Sequence, residues 1–140
     1  MRTPEEIIAE IRRTFETRYG TPRRELIEAG RVRDYLLAMN EPADFRPDDP
    51  VPPLFLLTLG RMRRPQPSRG SSVKAGDEYE FLAPVFVGDL VTISRQILSV
   101  EQKQGKAGPM YLTTDEIRFV NQDGILVARA INKGFRWGLE

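Results

Sequence analysis

Residues Gly30 to Asp48 read GRVRDYLLAMNEPADFRPD, an apolar helical segment followed by a polar loop. The apolar side chains recur at helical spacing and form one face: Val32, Tyr35, Leu36 and Met39. Leu37 and Ala38 widen that face, so we expect the helix to be surrounded by other elements rather than laid on a surface. Asn40 is expected to end the helix, which places Glu41 just past its C-terminal end.

The length of the chain limits the number of domains, and its composition limits the chemistry of its side chains. The chain has 140 residues, enough for one domain with a single core, and its net charge of +1 gives no field that favours nucleic acid or a membrane. It contains no cysteine and no histidine, and so lacks the commonest metal ligands and the commonest general base near neutral pH. We therefore expect no metal and no cofactor. No apolar run reaches the ~20 residues of a membrane span, and the N-terminus lacks a signal-peptide apolar core, so a cytoplasmic protein is expected.

The first residues predict a capped helix. Thr3 is a suitable cap, Pro4 suits the first helical position, and Glu6 completes a capping box. The apolar face that follows contains Ile7, Ile8, Ile11 and Phe15. We expect residues 1–22 to be a helical extension packed on the rim of the core, and residues 23–140 to be a single domain.

The segments on either side of the central stretch leave alternatives open. Arg24 to Ala29 is expected to be a short edge strand, and the apolar run Leu54 to Leu59 is too short to assign to helix or strand. Arg61 to Ser72, RMRRPQPSRGSS, is expected to be a loop. Its four arginines form either a solvated surface or a site that binds phosphates, because arginine pairs with phosphate bidentately.

From Asp77 onward the apolar pattern takes the period of a β-strand. Strands are expected over residues 78–82, 90–100, 110–122 and 125–137. Gln104 to Pro109 is expected to be a hairpin loop, and Asp123-Gly124 a tight turn. Helices followed by hairpin-linked strands indicate an α+β fold, an antiparallel sheet wrapped around a central helix, for which the Val32–Met39 segment is the natural candidate.

Several other conspicuous residues have structural interpretations. Asp89 follows Gly88 and is expected to be a turn residue rather than a catalytic acid. Tyr79, Phe81 and Phe119 are expected to be core aromatics rather than a ligand box.

Four segments resemble the MaoC-like dehydratase family. Asp77 to Leu90, DEYEFLAPVFVGDL, resembles the family's E-Y-E-F-x-x-P-V-x-x-G-D segment, and Asn121 to Arg129, NQDGILVAR, resembles its final hairpin. Gly108-Pro109-Met110 and Pro52-Pro53-Leu54-Phe55 are similar to the N-terminal, fatty-acid-synthase-type dehydratase branch. The resemblance runs from Arg24 to Trp137 and implies a hotdog fold, which agrees with the fold expected from the apolar pattern.

The resemblance also implies a reaction, the hydration and dehydration of acyl thioesters of coenzyme A or acyl-carrier protein. Active members carry G-D-x-N-P-x-H after the helix, where the Asp and His activate water or move the α-proton. In this chain Glu41 falls on the Asp and Arg46 on the His, while Ala43-Asp44 replaces Asn-Pro. Arginine stays protonated in proteins and cannot act as a general base, so the family's catalytic pair is not present.

Three functions therefore remain open. In the first, the chain is a non-catalytic subunit, in a homodimer or heterodimer, that shapes the acyl or pantetheine tunnel of a catalytic MaoC-like partner in fatty-acid or steroid metabolism. In the second, it is a self-sufficient hydratase or thioesterase that uses Glu41. In the third, it is an acyl-CoA-binding module. If neither residue belongs to a site, Glu41 is a solvated carboxylate at a helix end and Arg46 is an exposed loop arginine. If Arg46 has a binding role, it contacts a phosphate or a carboxylate of the partner. The residues expected to bind substrate are Leu54, Phe55, Arg61, Arg63, Arg64 and Arg69.

Overall fold

The computed structural model describes residues 1–42, 44–60 and 69–140. In chain order the elements are α1 (Pro4–Tyr19), β1 (Arg23–Leu26), α2 (Ala29–Ala38), α3 (Phe55–Leu59), β2 (Ser71–Phe81), β3 (Leu90–Gly105), β4 (Gly108–Val120) and β5 (Leu126–Trp137). The strands form one sheet in the order β1-β3-β4-β5-β2, and every neighbouring pair is antiparallel. The predicted α+β architecture is confirmed.

Helix α1 begins with the predicted capping box. The Thr3 side chain accepts a hydrogen bond from the Glu6 backbone N–H, and the Glu6 carboxylate accepts one from the Thr3 backbone N–H. The helix has its own small apolar cluster on the sheet, formed by Ile7, Ile11, Tyr111 and Leu139. This cluster holds α1 over one end of the sheet, because apolar area removed from water stabilises the contact.

The helix in the middle of the core is α3, and the prediction that the Val32–Met39 segment is the buried axis is wrong. Helix α2 forms where predicted, but in the described structure Val32 is its one fully buried side chain. Leu37 and Met39 are 62% and 54% exposed. Three of the five residues of α3 are buried: Phe55, Leu56 and Leu59. A single turn of helix is too short to show a period in sequence, so the pattern favoured the longer α2.

The end of α2 has the geometry that the sequence predicts. Asn40 adopts a left-handed conformation with φ of 58°. Its N–H donates to the Leu37 carbonyl at 3.1 Å, and the Glu41 N–H donates to the Leu36 carbonyl at 2.8 Å. This is the Schellman arrangement, which satisfies the last carbonyls of a helix. It fixes the backbone of Glu41 at the start of the following loop.

The hairpins of the sheet are also confirmed. Strands β3 and β4 pair up to Gly105 and Gly108, so the chain reverses within the predicted loop. Between β4 and β5, the Asn121 side chain accepts hydrogen bonds from the Asp123 and Ile125 N–H groups, both at 3.0 Å. Such local side-chain bonds explain why these turns are readable from sequence. Strand β1 lies at one edge, as expected.

Strand β2 forms the other edge of the sheet and is longer than predicted. It begins at Ser71, inside the stretch expected to be loop. Tyr79 and Phe81 are exposed on it, so their assignment to the core is wrong, whereas Phe119 on β4 is fully buried as predicted. An edge strand lacks a neighbour on one side, and its side chains are therefore less covered than the same residue types in a central strand.

Candidate functional site

The loop after α2 presents Glu41 and Arg46 to solvent. Both residues are exposed, whereas Phe45 between them is buried in the core. The Arg46 N–H donates to Asp49 Oδ2 at 2.8 Å, and the Asp49 N–H donates to the Arg46 carbonyl at 2.9 Å. The loop is thus fixed by one apolar anchor and one closed turn, and Arg46 holds its position through its backbone.

Asp89 has the structural role that the sequence predicts. Its Oδ2 accepts the Phe86 N–H at 3.0 Å, and its Oδ1 accepts from Gln122 Nε2 at 3.0 Å. The Gln122 side chain in turn accepts the Leu90 N–H at 3.0 Å. These bonds join two of the four segments that resemble the MaoC-like family, and at this place both segments form turns that shape the sheet.

The described structure contains a cavity of about 510 Å³ beneath α1, which we call the main cavity. It lies between α1, α3 and the inner face of the sheet, the face covered by the helices. Its walls include Phe15 and Tyr19 from α1, Leu57 from α3, and Phe119 from β4. Neither Glu41 nor Arg46 lines it, so the residues at the family's catalytic positions lie outside this cavity.

A polar cluster on the inner face forms part of the cavity wall: Arg95, Asp115 and Asn132. Arg95 donates hydrogen bonds to both carboxylate oxygens of Asp115, from Nε to Oδ2 at 2.7 Å and from Nη2 to Oδ1 at 3.4 Å. Asn132 Nδ2 donates to Oδ2 at 3.3 Å. A buried carboxylate needs such partners because an unpaired charge away from water is costly.

The same arginine connects α1 to the sheet. The Arg95 guanidinium lies over the Tyr19 ring, 4.1 Å from its centroid, and 5.5 Å from the centroid of the Phe15 ring. A cation within about 6 Å of an aromatic centroid is attracted by the ring electrons. The C-terminal half of α1 therefore closes the cavity through aromatic rings that are held on the Arg95–Asp115 pair.

The outer face of the sheet carries a second buried carboxylate, Glu116. Its Oε2 accepts from Arg129 Nε at 3.0 Å and Nη2 at 2.7 Å, and its Oε1 accepts from Arg118 Nη1 at 3.4 Å. Burial alone would raise the pKa of Glu116, but the hydrogen bonds from Arg129 and Arg118 outweigh it, so that the pKa is lowered.

Of the other predicted site residues, the structure describes Leu54, Phe55 and Arg69. Leu54 is exposed, whereas Phe55 is buried in the core with its ring edge-on to Tyr35 at 5.7 Å. Arg69 is exposed, and its carbonyl accepts a hydrogen bond from Arg136. The remaining three predicted substrate-binding arginines lie outside the described residues: Arg61, Arg63 and Arg64.

Sequence reasoning missed the residues that build the cavity. Arg95 stands two residues after Ile93, and Asp115 stands two residues before Ile117, so both charges share the buried face of their strands. Because side chains alternate along a strand, a charge at the parity of buried apolar residues is a signal for a buried polar site. That signal is present in the sequence.

The described residues contain no candidate metal site and no candidate membrane-spanning helix. Over residues 1–42, 44–60 and 69–140, the acidic side chains form no group of three or more that could hold a metal ion. Across those same ranges, none of the helices is long and apolar enough to cross a membrane.

The chain matches a known family over most of its length. The family model of the FAS1-like dehydratase domain region covers residues 14–130, and the chain therefore belongs to this family of MaoC-like hotdog dehydratases and hydratases. No curated protein matches the sequence.

Solved structures show the same fold at low identity. A chain of the ChsH1–ChsH2 complex from Mycobacterium tuberculosis aligns with a TM-score of 0.72 and 16% identity, over 97% of this chain and 92% of that one. The HadBC (3R)-hydroxyacyl-ACP dehydratase complex from the same organism gives 0.61 and 18%, over 82% and 91%. The (R)-hydratase from A. caviae involved in PHA biosynthesis gives 0.61 and 22%, over 81% and 91%. These likenesses establish the hotdog fold.

Proposed function

We propose that the chain is a non-catalytic subunit of an acyl-thioester dehydratase or hydratase and pairs with a catalytic MaoC-like hotdog partner in the cytoplasm. Its substrate would be a thioester of coenzyme A or acyl-carrier protein. One observation carries this proposal. At the two positions of the family's acid–base pair, the chain has Glu41 and Arg46, both exposed and outside the main cavity.

The chemistry of Glu41 and Arg46 favours a non-catalytic role for this chain. Proton transfer needs a group that both takes and gives a proton near the working pH, and an arginine side chain does not lose its proton. The sequence contains no histidine that could take over from another position. Arg46 is suited to holding an anion, such as a phosphate of coenzyme A or a carboxylate of the partner.

The exposed edge of β2 supports pairing with a second hotdog unit. Its 11 residues form a long sheet edge, and large apolar side chains such as Val73 and Phe81 are exposed on it. An uncovered edge of this length is a template for another strand. Two of the solved structures with this fold are complexes of paired subunits, ChsH1–ChsH2 and HadBC.

The first experiment measures activity with and without a partner. The purified chain alone should hydrate crotonyl-CoA about 10²–10⁴-fold more slowly than an intact enzyme, because the acid–base pair is incomplete. Co-purification with a MaoC-like subunit that retains its Asp and His should restore turnover. Turnover by the chain alone at about 1–10³ per second would refute the subunit proposal.

The second experiment tests the edge of β2 with matched variants. Val73→Lys places a charge on the exposed edge, whereas Leu37→Lys places the same charge on the exposed surface of α2. Size-exclusion chromatography with light scattering should show that Val73→Lys weakens dimer formation and that Leu37→Lys does not. Equal behaviour of the two variants, or a stable monomer of 16.0 kDa for the unmodified chain, would exclude pairing through β2.

A self-sufficient enzyme is the second candidate, favoured by the state of Glu41. Its side chain forms no hydrogen bond or ion pair with the described residues, although its backbone is fixed by the cap of α2. If Glu41 is a base, Glu41→Gln abolishes turnover and leaves acyl-CoA binding intact. If the loop only binds, Arg46→Ala weakens binding of acyl-CoA or partner by about 1.5–3 kcal/mol, and Glu41→Gln has little effect.

A further inference from the structure

The wall of the main cavity contains a polar group that the fold leaves without a partner, the hydroxyl of Thr113 on β4. Its oxygen is buried and forms no hydrogen bond with the described residues. Thr113 stands two residues before Asp115, so both side chains lie on the inner face of the sheet and line the cavity. Burying a hydroxyl without a hydrogen bond destabilises the folded protein, and a group that pairs with it from within the cavity would offset that cost.

There is space beside this hydroxyl because its neighbour on β5 is a glycine. Thr113 pairs with Gly134, and Gly134 pairs in turn with Lys74 on β2. Opposite residues of an antiparallel pair have Cβ positions about 4.5–5.5 Å apart, and Gly134 places no side chain there. A Cβ added at Gly134 would come within 3.4 Å of the Val73 carbonyl oxygen, an ordinary contact, so the position has room for a methyl group.

Charged residues of the wall around Thr113 are paired within the fold. Arg95 holds the carboxylate of Asp115, and Lys74, in the row of Thr113 and Gly134, forms an ion pair with Asp77 outside the cavity lining. The Thr113 hydroxyl itself is neutral, and it can both donate and accept a hydrogen bond. The group that it matches is therefore a neutral hydroxyl or carbonyl rather than an ion.

Large apolar side chains supply much of the remaining wall. Phe15 lines the cavity from α1, Leu57 from α3, and Ile117 and Phe119 from β4. The volume of about 510 Å³ lies in the range of small-molecule sites. Such sites combine an apolar lining with a few polar groups that fix the orientation of the ligand.

We propose that the main cavity binds a neutral amphiphile, a molecule with an apolar body and a hydroxyl or carbonyl group that pairs with the Thr113 hydroxyl. The body contacts Phe15 and Phe119, and the polar group lies over Gly134. Glu41 and Arg46 do not line this cavity, and the inference does not depend on the function proposed for them.

Equilibrium dialysis of the purified chain with four probes tests the chemistry of the ligand. 2-Naphthol carries a hydroxyl, 2-acetylnaphthalene a carbonyl and 2-naphthoate a charge, whereas naphthalene is the apolar body alone. The better of the two neutral polar probes should bind about 2- to 10-fold more tightly than naphthalene, the gain expected of a neutral hydrogen bond, and more tightly than 2-naphthoate. If naphthalene binds equally well, if 2-naphthoate binds more tightly, or if none of the probes binds, the proposal is overturned.

Variants of two adjacent threonines locate the polar contact. Thr113→Val removes the hydroxyl and should abolish the preference for the polar probe without changing the affinity for naphthalene, whereas Thr113→Ser keeps a hydroxyl and should keep the preference. Thr114→Val is the matched control, because Thr114 is the next residue of β4 and does not line the cavity. A preference that survives in Thr113→Val, or that is lost equally in Thr114→Val, would refute the site.

Two further measurements test the unpaired hydroxyl and the space beside it. Thr113→Val should melt at or above the temperature of the parent, because it removes a buried hydroxyl that the fold does not pair. Gly134→Ala fills the space and should weaken binding of the polar probe more than that of naphthalene. A lower melting temperature for Thr113→Val, or unchanged binding in Gly134→Ala, would contradict the proposal. None of these readouts uses turnover of crotonyl-CoA, so this proposal and the proposed function fail independently.

Discussion

Asp115 and Glu116 are neighbours in β4 whose side chains lie on opposite faces of one sheet, and both are buried and bound by arginine. The difference lies in the arginines. Arg95, which holds Asp115, has a side chain 21% exposed, whereas Arg129 and Arg118, which hold Glu116, are 32% and 42% exposed. The inner pair, Arg95–Asp115, lies beneath a helix and is less exposed on its cationic side than the outer pair that Glu116 forms.

We expect the burial of the cation to decide how much a buried carboxylate contributes to stability. A guanidinium that loses its carboxylate is compensated by water to the extent that it is exposed, and Arg95, at 21%, is compensated less than Arg129 or Arg118. The inner pair can therefore support α1 and the cavity beneath it, while the outer pair stabilises strands β4 and β5 locally. The following substitutions test this distinction.

The largest effect is expected at Asp115. Asp115→Asn leaves the enclosed Arg95 guanidinium without its counter-charge and should lower the free energy of unfolding by about 3–5 kcal/mol, measured by urea denaturation. The double variant Arg95→Gln/Asp115→Asn should lose less, because no unpaired charge remains. A loss below about 1 kcal/mol for Asp115→Asn would show that the inner pair is as solvated as a surface pair.

A smaller, pH-dependent effect is expected at Glu116. At pH 7 Glu116→Gln should lower the free energy of unfolding by about 1.5–3 kcal/mol, through lost charge-assisted hydrogen bonds. The folded-state pKa of Glu116 is below its ordinary value of 4.5, so its charge stabilises the fold above that pH. That stabilisation is lost as the pH falls from 4.5 through the lowered pKa. Urea denaturation from pH 7 to 3 should show the difference between parent and variant shrinking with acidity, and a constant difference would contradict the ionic role.

The smallest effect is expected at Glu80, which touches the same outer cluster from β2. Its carboxylate lies 3.3 Å from Arg129 Nη1, but its side chain is 54% exposed. Glu80→Gln should change the free energy of unfolding by at most about 1 kcal/mol, and 0.5 M salt should remove the change because exposed pairs are screened. A larger loss that resists salt would mean that the outer cluster is enclosed, as it would be by a partner bound at the β2 edge.

Features set by local chemistry were predictable from sequence. The capping box at Thr3, the end of α2 at Asn40 and the tight turn at Asp123-Gly124 each depend on bonds within a few residues, and each is confirmed. The central helix was not predictable in this way. Its identity depends on which segment the sheet covers, and five residues carry too little periodicity to compete with α2. The exposure of Tyr79 likewise follows from strand order, which no local pattern records.

The same division applies to the candidate site. The positions of Glu41 and Arg46 follow from the resemblance and from the helix cap that precedes them, and the structure shows that both are exposed. The cavity depends on the docking of α1 against residues distant in sequence. Arg95 and Asp115 are 20 residues apart, and the Tyr19 ring that covers Arg95 comes from another element altogether. In the sequence, this arrangement is indicated only by the spacing of Arg95 and Asp115, which places both on the buried face of their strands.

The contact between the two ends of the chain has a practical consequence for engineering. Arg2 Nη1 donates to the Leu139 carbonyl at 3.2 Å, and the Leu139 side chain is buried against Ile7 and Ile11. A short peptide linker could therefore join residue 140 to residue 1 without unfolding either end. New termini opened at the Lys106-Ala107 hairpin tip would then yield a circular permutant in which α1 follows β5 directly along the chain.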